Sequence, residues 1–279
     1  DRPCEAQAGG GSPWLDYDRN RYPGTMHLAG PIAAVILCLH GAGALMVGPA
    51  LQTAALRVNL QLEAAAMRGA PFFLHIPKSA GQAIEDSGLS GGLKWGWHVY
   101  EGPEKMTMPD GHPCSWFHVP PDYLPPTNSS LYEPADVFCV TRDPYERAVS
   151  EYMWELSLEP NISEDSHRMI TLAPRCTAEG LNAFLMDSLR TLLDGRRFLH
   201  DCHMIPQADF IWGQNQQWCT HILRIDELPK AFDDLMASRN LPIRLAPQKQ
   251  NMHSDLCPEL STANLTSETR SLLDTVYKE

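Results

Sequence analysis

Asp136–Thr141 (DVFCVT) runs straight into Arg142-Asp143-Pro144, and this junction constrains the fold more than any other feature of the chain. A short, almost continuous apolar run suits a strand buried on both faces. Pro144 stands where the first residue of a helix would be, with Asp143 as its N-cap. Tyr145, Ala148, Val149, Tyr152 and Met153 then recur at helical spacing. Two further strands of this kind are expected. Pro71–Ile76 (PFFLHI) is closed by Pro77, and Thr220–Ile225 (THILRI) precedes a helix carrying Leu228, Phe232 and Leu235. Helical patterns also cover about 178–194 and 266–278. Strands alternating with helices predict an α/β domain with a mainly parallel central sheet flanked by helices, and no internal repeat is visible.

Upstream of residue 70 the texture differs. Residues 1–27 are polar, contain a GGGS stretch and read as a flexible tail. Tyr22–Leu56 holds no Asp, Glu, Lys or Arg, and within it residues 28–51 are read as a transmembrane signal anchor in preference to a buried helix or a degenerate leader. As a helix that segment would reach about 36 Å, against a hydrocarbon core of roughly 30 Å. His40, two prolines and four glycines count against it. Residues 52–69 then serve as a stem, and residues 70–279 as the folded domain. Because the chain begins with Asp, it is expected to be processed or incomplete at its start.

Charge limits the partners. With 22 Lys+Arg against 34 Asp+Glu the formal net charge is −12, and no Lys/Arg run exists, so nucleic acid is excluded as a partner. A local cationic pocket for one small anion is still compatible with this total. The eight cysteines form no C-x-x-C pair. Cys202-His203 with Cys219-x-His221 could be drawn as a metal site, but sequence neighbours rarely ligate one ion together. The expectation is therefore no metal, with buried thiols and one or two disulfides. Three N-x-S/T sequons, at Asn128, Asn161 and Asn264, point mildly to a secretory lumen.

Two segments carry anion chemistry. His75-Ile76-Pro77-Lys78-Ser79-Ala80-Gly81-Gln82 reads as strand, turn and helix start. Main-chain N–H groups at such a turn face an anion, and the helix N-terminus adds partial positive charge. Ala80 and Gly81 let a phosphate approach, Lys78 adds a full charge and Ser79 a hydroxyl. No Walker loop is present, since the lysine comes before the glycine. In the second segment Arg142 ends a strand, where open α/β sheets bind ligands, and Ser150 follows two helical turns later, with Arg147 between them. A guanidinium there can grip a phosphate through paired hydrogen bonds.

Taken together, FLHIPKSAGQAIE resembles the 5′-phosphosulfate loop of the sulfotransferases, written around H-x-P-K-T/S-A/G-G-T/Q. VTRDPYERAVSEY resembles their 3′-phosphate motif, R-D-P-x-x-R-x-x-S. His203-x-x-Pro206-Gln207, LRIDEL and the LTSETRSLLDTVYKE tail also look like family pieces. The resemblance covers about residues 70–279 and is greatest to membrane-bound carbohydrate sulfotransferases, such as those acting on heparan sulfate at the 2-O and 6-O positions. It implies a P-loop-like sulfotransferase fold and 3′-phosphoadenosine 5′-phosphosulfate (PAPS) as co-substrate. It also implies a glycan or glycoconjugate acceptor and a Golgi membrane protein with a lumenal catalytic domain. Carried over, Lys78, Ser79, Ala80, Gly81 and Gln82 would wrap the 5′-phosphosulfate, and Arg142 and Ser150 would hold the 3′-phosphate. Lys78 would also follow the bridging oxygen as the bond to sulfur breaks.

The acceptor hydroxyl must lose a proton, which requires a base beside the sulfuryl group. His118 is chosen, because Cys114-x-x-x-His118 precedes the 3′-phosphate strand as the base does in the 6-O- and 2-O-sulfotransferases it resembles. His98 and Glu85 are the rivals, His203 suits acceptor binding or the core, and His75 reads as a buried hydrogen-bonding residue. An ordinary imidazole would titrate near pH 6.5. The alternatives to this function are a nucleotide-dependent kinase and an inactive, membrane-tethered glycan-binding protein. A chain with this net charge suits a neutral glycan or glycolipid better than a long polyanion.

Overall fold

The structure is a computed structural model that describes residues 69–99, 105–133, 136–158, 164–246 and 256–278. The expected tail, the expected anchor and nearly all of the stem lie outside the described residues. In chain order the strands are β1 (Phe72–Phe73), β2 (Lys105–Thr107), β3 (Pro113–Ser115), β4 (Val137–Thr141) and β5 (His221–Arg224). The longer helices are α1 (Gly81–Ser90), α2 (Pro144–Ser157), α3 (Glu164–Ile170), α4 (Ala178–Leu193), α5 (Lys230–Ser238) and α6 (Ser267–Val276). No helix among the described residues is long and apolar enough to cross a membrane.

β1, β4 and β5 form a parallel sheet in the order β1-β4-β5, with helices flanking it. The central strand is buried on both faces, which is why DVFCVT lacks alternation: Val137, Phe138, Cys139 and Val140 are all fully buried. β1 is shorter than Pro71–Ile76 predicts. The Leu74 N–H still donates to Phe138 O at 2.8 Å, but His75 then turns beneath α1 to meet Glu85, and the chain leaves the sheet. β5 is an edge strand, with Ile222 41 % exposed. β2 and β3 pair as a separate antiparallel hairpin that leads into the turn Trp116–His118.

Two apolar cores result. One packs the sheet against Ile84 of α1, Trp95, and Phe232 and Met236 of α5. The other joins α2, α4 and α6 through Val149, Tyr152, Phe184, Leu185 and Leu273. Full burial of each large side chain contributes about 1.5–3 kcal/mol. α2 starts as expected, with Pro144 in its first turn and the Asp143 carboxylate accepting from the Tyr145 and Glu146 N–H groups. Beside its apolar stripe, α2 carries a buried polar one, Arg147, Glu151 and Glu155 at i, i+4 and i+8. That stripe faces the site.

Three disulfides cross-link the described residues: Cys114–Cys202, Cys139–Cys219 and Cys176–Cys257. This corrects the expectation of one or two. It also dissolves the Cys202/Cys219 metal drawing, because both sulfurs are bonded to other cysteines and His221 pairs with Asp136 at 2.5 Å.

Candidate functional site

Pro77–Gly81 links β1 to α1 through two residues in the left-handed region, Lys78 (φ 64°) and Ala80 (φ 65°). Neither is glycine, and each such residue costs about 1–2 kcal/mol. Turns of this hand gather main-chain N–H groups into an anion-binding hollow. Ala80 is the N-cap of α1 and supplies no side-chain cap, and the first turn contains no acidic residue. The loop also leaves a polar group in want of a partner. Ser79 is 1 % exposed, and its Oγ makes no hydrogen bond among the described residues. A buried hydroxyl left so costs about 1–3 kcal/mol.

Gly81 has a packing reason. A Cβ there would stand 2.2 Å from Nε2 of His75, whose ring lies directly against the loop. His75 is held from its other nitrogen by Glu85, with Nδ1 2.6 Å from Oε1. The same carboxylate rests on Gly96, where a Cβ would meet it at 1.6 Å.

Lys78 Nζ sits 4.3 Å above the Trp154 ring on α2. Burial lowers its pKa to about 8; Glu151 and Glu155 counteract this, while Arg142 and Arg147 reinforce it. Arg142 ends β4 with its main chain clasped by the Gln207 amide, which accepts from the Arg142 N–H at 2.9 Å and donates to its carbonyl at 2.8 Å. The Arg142 guanidinium reaches Glu146 at 3.4 Å and the Lys78 carbonyl at 3.4 Å. Ser150 is half-buried on α2.

Arg147, which lies between Arg142 and Ser150 in sequence, is engaged by main-chain carbonyls. It is buried, and donates to Pro77 O at 3.1 Å, to Ile205 O at 2.8 Å and to His203 O. One guanidinium thus fastens the loop Pro77–Gly81 to the segment 203–205.

That segment and the turn Trp116–His118 bring three groups together. His118 Nδ1 lies 2.9 Å from Asp201 Oδ2 and 3.2 Å from His203 Nε2, while His203 Nδ1 lies 2.9 Å from Glu151 Oε2. Asp201 also accepts from the Ser115 N–H at 2.6 Å and the Ser115 hydroxyl at 2.8 Å, with Lys105 3.4 Å away. The Cys114–Cys202 disulfide staples the two segments, and His200, Asp201 and Cys202 are three consecutive left-handed residues (φ 50°, 57° and 66°).

The network fixes the tautomers. Asp201 is held ionised and only accepts, so His118 carries its proton on Nδ1; that proton also faces His203 Nε2, so a neutral His203 carries its own on Nδ1. His203 Nε2 is then an acceptor. His118 Nε2 keeps its lone pair and makes no hydrogen bond among the described residues. Burial, and then His203, pull the His118 pKa down to about 3, with Asp201 opposing. His118 is therefore a neutral imidazole throughout the physiological range, and the titration near 6.5 expected of an ordinary histidine is displaced. Burial would raise the Asp201 carboxyl, but its hydrogen bond to His118 and the neighbouring charges hold it well below the usual range. Burial pushes Glu151 up, and pushes Glu155 up to about 7.

Two trios, His118/Asp201/His203 and Glu151/Glu155/His200, have ligand-type atoms close enough to share a cation. Hydrogen bonds already engage both. His200 sits between the hydroxyls of Ser166 and Ser188, each 3.0 Å away, and the first trio bonds internally.

Lys78, Ser79, Ala80 and Gly81 thus form one loop. Arg142 touches that loop, and His118 joins it through His203 and the Arg147 clamp. The rivals are placed elsewhere. Glu85 is bonded to His75, and His98 Nε2 lies 3.7 Å from Asp86, beyond hydrogen-bond distance, with no hydrogen-bond partner among the described residues. Sequence reasoning missed Asp201, Glu151 and Glu155. The one available signal was the i, i+4, i+8 spacing of Arg147, Glu151 and Glu155, which reads equally as a solvated face. No family model, curated protein or solved structure matches the chain.

Proposed function

We propose that this chain is a sulfotransferase of P-loop-like fold. It moves a sulfuryl group from PAPS to a hydroxyl of a glycan or glycoconjugate, by in-line displacement with a general base. The Ser79 hydroxyl carries the reading: it is buried with no hydrogen-bond partner among the described residues, in a strained loop beside a lysine, where an anionic oxygen would satisfy it. Lys78, Ser79, Ala80, Gly81 and Gln82 hold the 5′-phosphosulfate, with Lys78 neutralising the leaving phosphate. Arg142 and Ser150 hold the 3′-phosphate, and Nε2 of His118 accepts the hydroxyl proton. The proposed setting is the Golgi lumen, with three disulfides and the sequons in its support.

In a thermal-shift titration, 3′-phosphoadenosine 5′-phosphate stabilises the protein and ATP does so weakly. Equal shifts would favour the kinase alternative. Arg142→Ala removes a charge-assisted contact worth about 1.5–3 kcal/mol, and so lowers affinity for that nucleotide about ten- to a hundred-fold. Unchanged binding by the folded variant contradicts the assignment. Transfer of labelled sulfuryl to mixed acceptors separates an enzyme from an inactive glycan-binding protein.

The nucleotide's affinity should also depend on pH through Lys78. Its ammonium has a pKa of about 8 in the free protein, so it is charged at pH 7 and increasingly neutral above 8. Through this group affinity is near its full value at pH 7 and falls towards tenfold per unit above 8. A flat calorimetric profile from pH 7 to 9 would remove Lys78 from the phosphate site.

A further inference from the structure

We propose that the proton taken from the acceptor hydroxyl passes inward from His118 through His203 to Glu151, which makes His203 and Glu151 positioning residues that act through His118. The origin of the proton rests on the sulfuryl-transfer reading; the path rests on contacts of its own. His118 Nδ1 is 3.2 Å from His203 Nε2, and His203 Nδ1 is 2.9 Å from Glu151 Oε2. The two rings meet edge-on with centroids 4.5 Å apart, and all three side chains are buried.

His118 alone is a poor resting place. Its imidazolium would be buried against His203 and His75, where positive charge is disfavoured. Asp201 is a poor sink as well, because two Ser115 hydrogen bonds and Lys105 favour its charged form. Glu151 is the opposite case: it accepts from His203 Nδ1, and burial makes its carboxylate readier to take up a proton, with Lys78, His200, Arg147 and a hydrogen bond from Glu155 opposing.

The step balances. The acceptor O–H bond breaks and its proton bonds to His118 Nε2. The electron pair left on oxygen forms the new O–S bond, while the bond from sulfur to the bridging oxygen breaks and leaves its electrons on the 5′-phosphate. In the same motion the His118 Nδ1 proton passes to His203 Nε2, and the His203 Nδ1 proton passes to Glu151. Both imidazoles stay neutral with reversed tautomers, and one proton rests on the Glu151 carboxyl. After product release the path runs backwards and returns the proton to solvent at His118 Nε2.

Two measurements test this. Long-range nitrogen–proton NMR on the 15N-histidine-labelled chain needs no acceptor. It should find both His118 and His203 protonated on Nδ1, with a scalar coupling between His118 Nδ1 and His203 Nε2 across their shared proton. A His118 protonated on Nε2, or no coupling, overturns the path whatever the protein transfers. The second measurement is kinetic. Glu151→Gln keeps an acceptor for the His203 N–H but cannot take up a proton, so turnover should fall about tenfold or more. The dependence of rate on deuterium fraction should change from curved to linear. If sulfuryl transfer is observed and the variant keeps wild-type turnover and curvature, the path is wrong although the enzyme assignment stands.

Discussion

Replacing His118 by alanine lowers turnover by about 10²–10⁴-fold, the range of a lost general base, and leaves affinity for 3′-phosphoadenosine 5′-phosphate nearly intact. The separation follows from the layout: the loop around Ser79 is clamped by Arg147 to Pro77, not by His118. Acid should affect this residue through folding rather than through activity. Its pKa in the fold is about 3 against about 6.5 in the unfolded chain, so between these values the unfolded state binds the proton first. Stability is therefore lost as pH falls from 6.5 towards 3, by about 2 kcal/mol at pH 5 for this group alone. His118→Ala should abolish that loss, so the variant compares better with the parent at pH 5 than at pH 8. Near-normal turnover, or an unaltered acid dependence of stability, would place the base elsewhere.

Cys114→Ala/Cys202→Ala should cost about 4–5 kcal/mol, since the bond closes a loop of 88 residues in the unfolded chain. That is a large fraction of the 5–15 kcal/mol that holds a typical domain together. The same bond joins β3, which leads to His118, to the left-handed run bearing Asp201, so activity should fail in denaturant before the sheet melts. Denaturant midpoints of parent and variant measure the first effect, and a difference below about 1 kcal/mol would contradict it. A chain made in a reducing cytosol should behave like the variant, which ties the compartment to a stability measurement.

What the sequence disclosed follows from how local each feature is. The Asp143 cap, Pro144 and the apolar run of β4 are set by neighbouring residues, and they stand where their pattern puts them. The helices at 178–194 and 266–278 are found as Ala178–Leu193 and Ser267–Val276 for the same reason. β2 and β3 went unread because three-residue strands are too short to show alternation. The polar network was unreadable for a different reason. His118, Glu151 and His203 are 33 to 85 positions apart, and only the packing of α2 against the 200–205 segment brings them into contact. Glu85 looked available as a base because nothing local reveals that His75, ten residues earlier, already holds it.

The Arg147 clamp has an evolutionary consequence. A single guanidinium binds carbonyls on both the loop after β1, at Pro77, and the segment that carries His203, at His203 and Ile205. Drift in either segment is transmitted to the other, so neither can diversify freely. In the proposed sulfotransferase, new acceptor preferences are more accessible from surfaces that this arginine does not touch. The turn Gly96–His98 is one: it packs against the turn of His118 and displays Trp97 nearly half exposed. Lineages of this fold should therefore vary at such rims while the centre stays fixed.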